Sequence, residues 1–371
     1  MAKKNLEIKA VEIYKLLIPL TEPFVISLGA QYDAESIVVI IKAGDHTGFG
    51  ECSPYMSING ESIDTCFIVG QYLAKALKGK NALDIKDCVR TINKIIYGNT
   101  SIKSAFDMAL YDIASQNAGV PLYKFLGGRN NKTLTTDYTV SLGDANKMAQ
   151  DASKYKDQGF PVIKVKLGES THKDAERIHL IREAVGYEIP LRIDANQGWD
   201  VKTAIATLKE LERYNIQHCE EPIPRWDFMR LRKVRKNSPI PIMADESCCD
   251  HYDAKRLIDL KACDMLNIKL GKSGGIHDAL KIISLAEKAK MTMQIGAFME
   301  SRLGMTAFAH LALCSDNIHY CDFDTPLMFT EDPVSGGLTY HENGVVKVPE
   351  TPGLGAWIEK DFLGKFENVV L

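Results

Sequence analysis

Two lysines one residue apart, Lys164 and Lys166, sit inside Val162-Ile163-Lys164-Val165-Lys166-Leu167-Gly168, a run that otherwise has the composition of a buried strand. Side chains alternate faces along a strand, so both lysines point the same way. Two ammonium groups held close repel each other, which favours the neutral amine on one of them and yields a base usable near neutral pH. An edge strand with a solvated lysine face would account for the pair as well, since charge on an edge blocks aggregation.

Further charged residues recur at the ends of short apolar runs: Asp194 with Asn196, Glu220-Glu221 before Pro222, Asp245-Glu246, Lys269, Glu300, and Asp322 with Asp324. Carboxylates are hard oxygen ligands that select Mg²⁺ over zinc or copper, so Asp194, Glu220 and Asp245, converging from successive strands, would form a magnesium site. One such residue alone would be an ordinary helix cap. By alternation Glu221 and Glu246 should point away from the ion. Lys166 and Lys269 would then face the α-carbon of a metal-bound substrate carboxylate from opposite sides. One would remove a proton and the other return it, with the ion stabilising the enediolate between. Taken singly, Lys269 also fits a lysine snorkelling from a strand end. Asp322 and Asp324 share a face and could grip a cationic group such as an amino terminus, or cap a loop.

These groups need a scaffold that delivers them to one mouth. Strands are predicted at 135–141, 162–166, 191–194, 216–220, 240–244, 265–269, 292–295 and 318–323, each followed by a helical pattern. Eight repeats of roughly 24 to 28 residues are the rhythm of a (β/α) barrel, whose functional groups lie at the carboxyl ends of its strands. Before the barrel, residues 8–43 read as two or three strands, including 11–20 and 36–43, and residues 61–118 as helices; the helical block closes at Pro121 and Gly127-Gly128-Arg129. Residues 21–33 and those after Glu51, with Pro54, Tyr55 and Asn59-Gly60, read as loops, the first of them mobile. After Asp332, Asn343-Gly344 signals a hairpin in a tail too poor in apolar residues for its own core. The expected organisation is a modified (β/α)7–8 TIM barrel at 128–331, with an α+β cap built from 1–127 and a tail, 332–371, packing back on it.

A net charge of −3 and a pI near 6.3 offer no basic field for nucleic acid or an anionic membrane. The start, Met1-Ala-Lys-Lys-Asn, lacks the apolar core of a signal peptide, and the apolar run Ile37 to Ile41 is too short to cross a bilayer. Nine cysteines with no C-x-x-C pair argue against a disulfide framework or zinc, and fit a reducing cytoplasm.

Together, Lys164-x-Lys166, Asp194-x-Asn196, Glu220-Glu221-Pro222, Asp245-Glu246 and Lys269 resemble the enolase superfamily, in its muconate lactonizing enzyme subgroup. A lysine base working with Mg²⁺ is an established pattern of that superfamily. The resemblance spans nearly the whole chain, and Asp322-x-Asp324 is similar to the dipeptide epimerases, where such a pair holds the substrate's α-ammonium group. It implies Mg²⁺, a dipeptide substrate, a homo-oligomer, and Lys164 among the substrate-binding groups. It also implies specificity loops around Phe24 to Ala30 and Cys52 to Gly60. Members acting on Ala-Glu carry an arginine in the first loop; Gly29 stands at the matching position here, and the loop has no arginine. A glutamate side chain without a cation is costly to bury, so a small or apolar second residue is expected, with Tyr55, Phe298 and Met299 lining its pocket.

Three alternatives predict different things. N-succinylamino acid racemases and o-succinylbenzoate synthases of the same subgroup would leave Asp322 and Asp324 incidental. A non-catalytic protein on an inherited barrel would have lost lysines or ligands, and a Schiff-base aldolase would have no use for three metal carboxylates.

Overall fold

The computed structural model describes residues 5–371; Met1 to Lys4, part of the start read above for a signal peptide, lie outside the described residues. Three antiparallel strands open the chain: β1, Ile8–Ile26; β2, Gly29–Ala43; and β3, His46–Cys52. The unbroken run Ile37 to Ile41 is buried on both faces of this sheet. Val38 and Ile40 join the core shared with the barrel, whereas Ile37, Val39 and Ile41 join a second core beneath the helices Ile63–Leu77, Ile85–Ile95 and Thr100–Ala118. The last of these helices lies directly on β3. A Cβ on Gly48 would stand 2.1 Å from the carbonyl oxygen of Ala109, and one on Gly50 1.9 Å from that of Ala105, so glycine is required at both places.

The segment 21–33, expected to be a mobile loop, is instead the outer half of a hairpin. Phe24 pairs with Gln31, Val25 with Ala30 and Ile26 with Gly29. Thr21, Glu22 and Pro23 face solvent, which gives a paired strand the composition of a loop.

After a two-residue strand, β4 (Leu134–Thr135), come the barrel strands: β5, Tyr138–Val140; β6, Ile163–Lys166; β7, Leu191–Asp194; β8, Ile216–Glu220; β9, Ile242–Ala244; β10, Met265–Ile268; β11, Thr292–Ile295; and β12, Ile318–Cys321. They form one parallel sheet in sequential order, and a parallel bridge between Thr136 and Cys321 joins its ends into a barrel. Aliphatic residues with no exposure, such as Ile163, Val165, Leu191 and Ile193, alternate with the charged set along these strands.

The tail divides its packing. β13 (Val334–Gly336) pairs with β16 (Ala356–Ile358). β14 (Thr339–Tyr340) and β15 (Val345–Lys347) form the hairpin across Asn343-Gly344, and β15 continues onto β4. β17 (Asn368–Val370) returns to the edge of β1. Arg302, on a barrel helix, donates to the carbonyls of Gly336 and Leu338, so part of the tail rests on the barrel. Among the described residues no helix is long and apolar enough to cross a membrane.

Candidate active site

Sheet register delivers the charged set to one end of the barrel. Lys166 is aligned with Asp194, and Asp194 with Glu220, so three consecutive strands finish with a cation and two carboxylates side by side. β6 and β10 stand across the barrel from each other, which places Lys166 and Lys269 on opposite walls. Both lysines line one cavity, as do Tyr55, Phe298, Met299, Asp322 and Asp324. The ammonium of Lys166 lies over the ring of Phe24 at 5.7 Å, and that of Lys269 over the ring of Phe298 at 4.9 Å.

Lys164 and Gly29 do not line the cavity. Lys164 is fully buried beneath it, 2.8 Å from Asp322 and 2.9 Å from Glu220. Gly29 follows the Ser27-Leu28 turn as the first residue of β2, at φ +136°, with open space where a side chain would be. The same hairpin offers Phe24, Ile26 and Gln31 to the cavity, and its tip is held down by Ser27, whose hydroxyl lies 2.9 Å from the carbonyl oxygen of Ala195 and 2.7 Å from that of Asn196.

Asp194, Glu220 and Asp245 are buried without exposure. Lys166 stands 2.6 Å from Asp194, Lys269 2.8 Å from Asp245, and Lys272, one helical turn on, 2.5 Å from Asp245. Asn267 donates to Glu220 at 2.7 Å and Gln294 at 3.2 Å. As hard, fully buried oxygen donors the three carboxylates fit a divalent ion such as Mg²⁺. Their oxygens are interleaved with lysine ammonium groups and do not all lie within 4.8 Å of one another; among the described residues the acidic trio that does is Asp137, Asp322 and Asp324.

At Lys164 and Lys269 the neighbouring carboxylates outweigh the neighbouring cations. Burial alone would push Lys164 toward the neutral amine, but Asp322, Glu220 and Asp194 outweigh it and hold its pKa well above the ordinary value. Burial likewise opposes charge on Lys269, and Asp245 and Glu220 raise it nonetheless. The reciprocal effect holds Asp194 and Asp322 below the usual carboxylate range despite burial, chiefly through Lys166 and Lys164 for Asp194 and through Lys164 for Asp322.

Glu221 does turn away, accepting from the backbone amides of Asp245 at 2.7 Å and Ser247 at 3.2 Å. Glu246 stands behind the lining, accepting from the side chain of Asn196, a cavity residue, at 3.2 Å. β9 ends at Ala244, so strand alternation no longer governs residue 246. Glu300 accepts from the backbone amide of Phe298 at 2.7 Å, bending the chain so that Phe298 lines the cavity.

Sequence reasoning missed Thr139, Gln31, Ile58 and Thr325 in the cavity lining, and Lys272 and Asp137 behind it. Lys272 had a signal in its three-residue spacing from Lys269, and Asp137 in being a charge inside a strand-like run. Ile58 lies within the loop Cys52 to Gly60 expected from the resemblance, whereas Gln31 falls just beyond the first loop, and its place depends on how cap and barrel meet.

The signature of the mandelate racemase/muconate lactonizing enzyme N-terminal domain matches residues 9–127, and that of the enolase C-terminal domain-like unit matches residues 147–362. A D-Ala-D/L-Ala epimerase from Cytophaga hutchinsonii is 57% identical, over 98% of this chain and 99% of that protein. A crystal structure of a dipeptide epimerase from that organism, complexed with Mg and D-Ala-L-Val, matches with a TM-score of 0.98 at 57% identity, over 98% of this chain and 100% of that one. An L-Ala-D/L-Glu epimerase from Clostridium acetobutylicum is 39% identical over 94% of this chain and 98% of its own length. With both of its domains matched and its barrel presenting lysines and carboxylates at one mouth, this chain belongs to the enolase superfamily, in the mandelate racemase/muconate lactonizing enzyme family.

Proposed function

We propose that the protein is a Mg²⁺-dependent dipeptide epimerase, an isomerase that inverts the α-carbon of the carboxyl-terminal residue of dipeptides. The observation that carries this reading is the pair of lysines on opposite walls of a cavity that also reaches Asp322 and Asp324. Asp194, Glu220 and Asp245 would hold the ion, which when bound supplies a double positive charge against the substrate carboxylate and the charge that develops on it. Asp322 and Asp324 anchor the amino terminus, fixing the peptide across the mouth. With both ends held, the α-carbon lies between Lys166 and Lys269. One lysine takes the proton, and the other delivers a proton to the opposite face.

The second residue is small or apolar. The cavity wall is made of Phe24, Ile26, Ile58 and Phe298, and the hairpin contributes Gln31 rather than a cation. The Cytophaga hutchinsonii relative, named for Ala at both positions, supports this preference over an acidic second residue.

The test is a dipeptide library incubated in D₂O with Mg²⁺ and followed by mass spectrometry. The expected result is one deuterium gained at the carboxyl-terminal α-carbon of Ala-containing dipeptides, lost on chelation, with Ala-Glu slower by about tenfold or more. Exchange on N-succinylamino acids in preference to dipeptides would favour the racemase alternative.

A further inference from the structure

Asp137 was not anticipated as part of the site, yet the barrel seam sets it beside Asp322. Thr136 bridges Cys321 in parallel register, and its hydroxyl accepts from the amide of Phe323 at 2.9 Å, so the next residues along each segment, Asp137 and Asp322, are neighbours. Asp137, Asp322 and Asp324 bring carboxylate oxygens within 4.8 Å of one another. Two cations pair directly with these three carboxylates. Arg192 pairs with Asp137 at 2.7 Å and Lys164 with Asp322 at 2.8 Å, but Lys164 is shared with Glu220 at 2.9 Å and Asp194 at 3.5 Å. Asp324 accepts from the amide of Thr139 at 2.6 Å, while Oδ1 of Asp324 and Oδ1 of Asp137 are buried with no hydrogen-bond partner.

We infer that Asp137 is a positioning residue of the amino-terminus subsite, completing a three-carboxylate pocket that is short of one positive charge and therefore selects substrates bearing a free α-ammonium group. The inference rests on the dipeptide reading above. Asp322 and Asp324 touch the cavity, and Asp137 lies behind them, so it acts through its neighbours rather than on the substrate. Burial, with Asp322 next to it, pushes Asp137 up to about 7, and burial with Asp322 and Asp137 pushes Asp324 well above the carboxylate range. Charges that resist one another in a dry pocket are relieved by an arriving cation. An N-acylated substrate brings none.

The test compares the full-length Mg²⁺-loaded protein with Asp137→Asn and with Asp137→Asn/Arg192→Gln, on alanyl-alanine and its N-acetyl derivative. The single change removes the charge deficit and should raise KM for the free dipeptide about tenfold, with a smaller effect on kcat. The double change removes one carboxylate and one guanidinium together, preserves the deficit, and should return KM to within about threefold of the parent. Mg²⁺ affinity, measured calorimetrically without substrate, should stay the same in both. If the single variant does not fold, Arg192→Gln alone decides: it deepens the deficit and should lower KM for the free dipeptide, and an unchanged KM overturns the inference. It is also overturned if Asp137→Asn leaves KM unchanged, if both variants raise KM alike, or if the parent binds a second Mg²⁺ that Asp137→Asn abolishes. Absence of exchange on every dipeptide by the parent protein would overturn the epimerase reading itself, whereas intact exchange with a KM blind to charge balance would overturn only the role of Asp137.

Discussion

Lys166 and Lys269 approach the cavity from opposite walls, and on the proposed two-base route each would serve one hand of the substrate. Replacing either by alanine should lower epimerisation by roughly 10³-fold, the usual worth of a positioned acid or base. Each single variant should still exchange the α-proton of one stereoisomer, read by mass spectrometry on the separated diastereomers in D₂O; unchanged epimerisation in both would rule out a two-base route. At this scale the sequence was most informative where a charged residue ended a strand. Lys166, Asp194 and Glu220 follow from register that their own segments dictate. The direction of the lysine shifts did not follow, because it depends on Asp322, Glu220 and Asp245, which come from other strands.

Among elements, the contact between β3 and the helix Thr100–Ala118 is the least forgiving. Gly50→Ala would drive a methyl group into the carbonyl oxygen of Ala105, and the two elements would have to separate. A loss of about 3 kcal/mol is expected in urea unfolding, at the upper end for overpacking, with no direct change to the cavity lining. An unaltered midpoint would show that helix and strand can slide past each other. The barrel strands were legible because each is a short apolar run closed by a polar residue at a steady repeat. The hairpin at 21–33 was not, because Thr21, Glu22 and Pro23 are exposed in a row and break the alternation.

At the scale of the whole molecule, His310 ties three parts of the chain together. Its Nδ1 accepts from the amide of Tyr123 at 3.2 Å, and Nε2 faces the carbonyl oxygen of Leu354 at 3.1 Å, so the neutral ring satisfies both. Burial pushes its pKa down to about 4. Because this lies below the ordinary histidine value, the unfolded chain takes up a proton between about pH 6.5 and 4 that the folded one refuses. The stabilisation is therefore complete above about pH 6.5 and lost as the pH falls toward 4, by roughly 3 kcal/mol. His218, buried with its pKa also depressed by burial, adds in the same direction. Thermal midpoints across this range should fall with acidity, and His310→Gln should flatten the slope; an equally steep slope in that variant would assign the acid sensitivity elsewhere.

The strand Gly29–Ala43 turns one row of aliphatic side chains toward the barrel and the other toward the helical layer. Neither half can keep a dry interior once that strand leaves, since each would open its oily floor to water. Heating should therefore give a single calorimetric peak, and removing the leading 127 residues should leave a remnant that clumps rather than a working barrel.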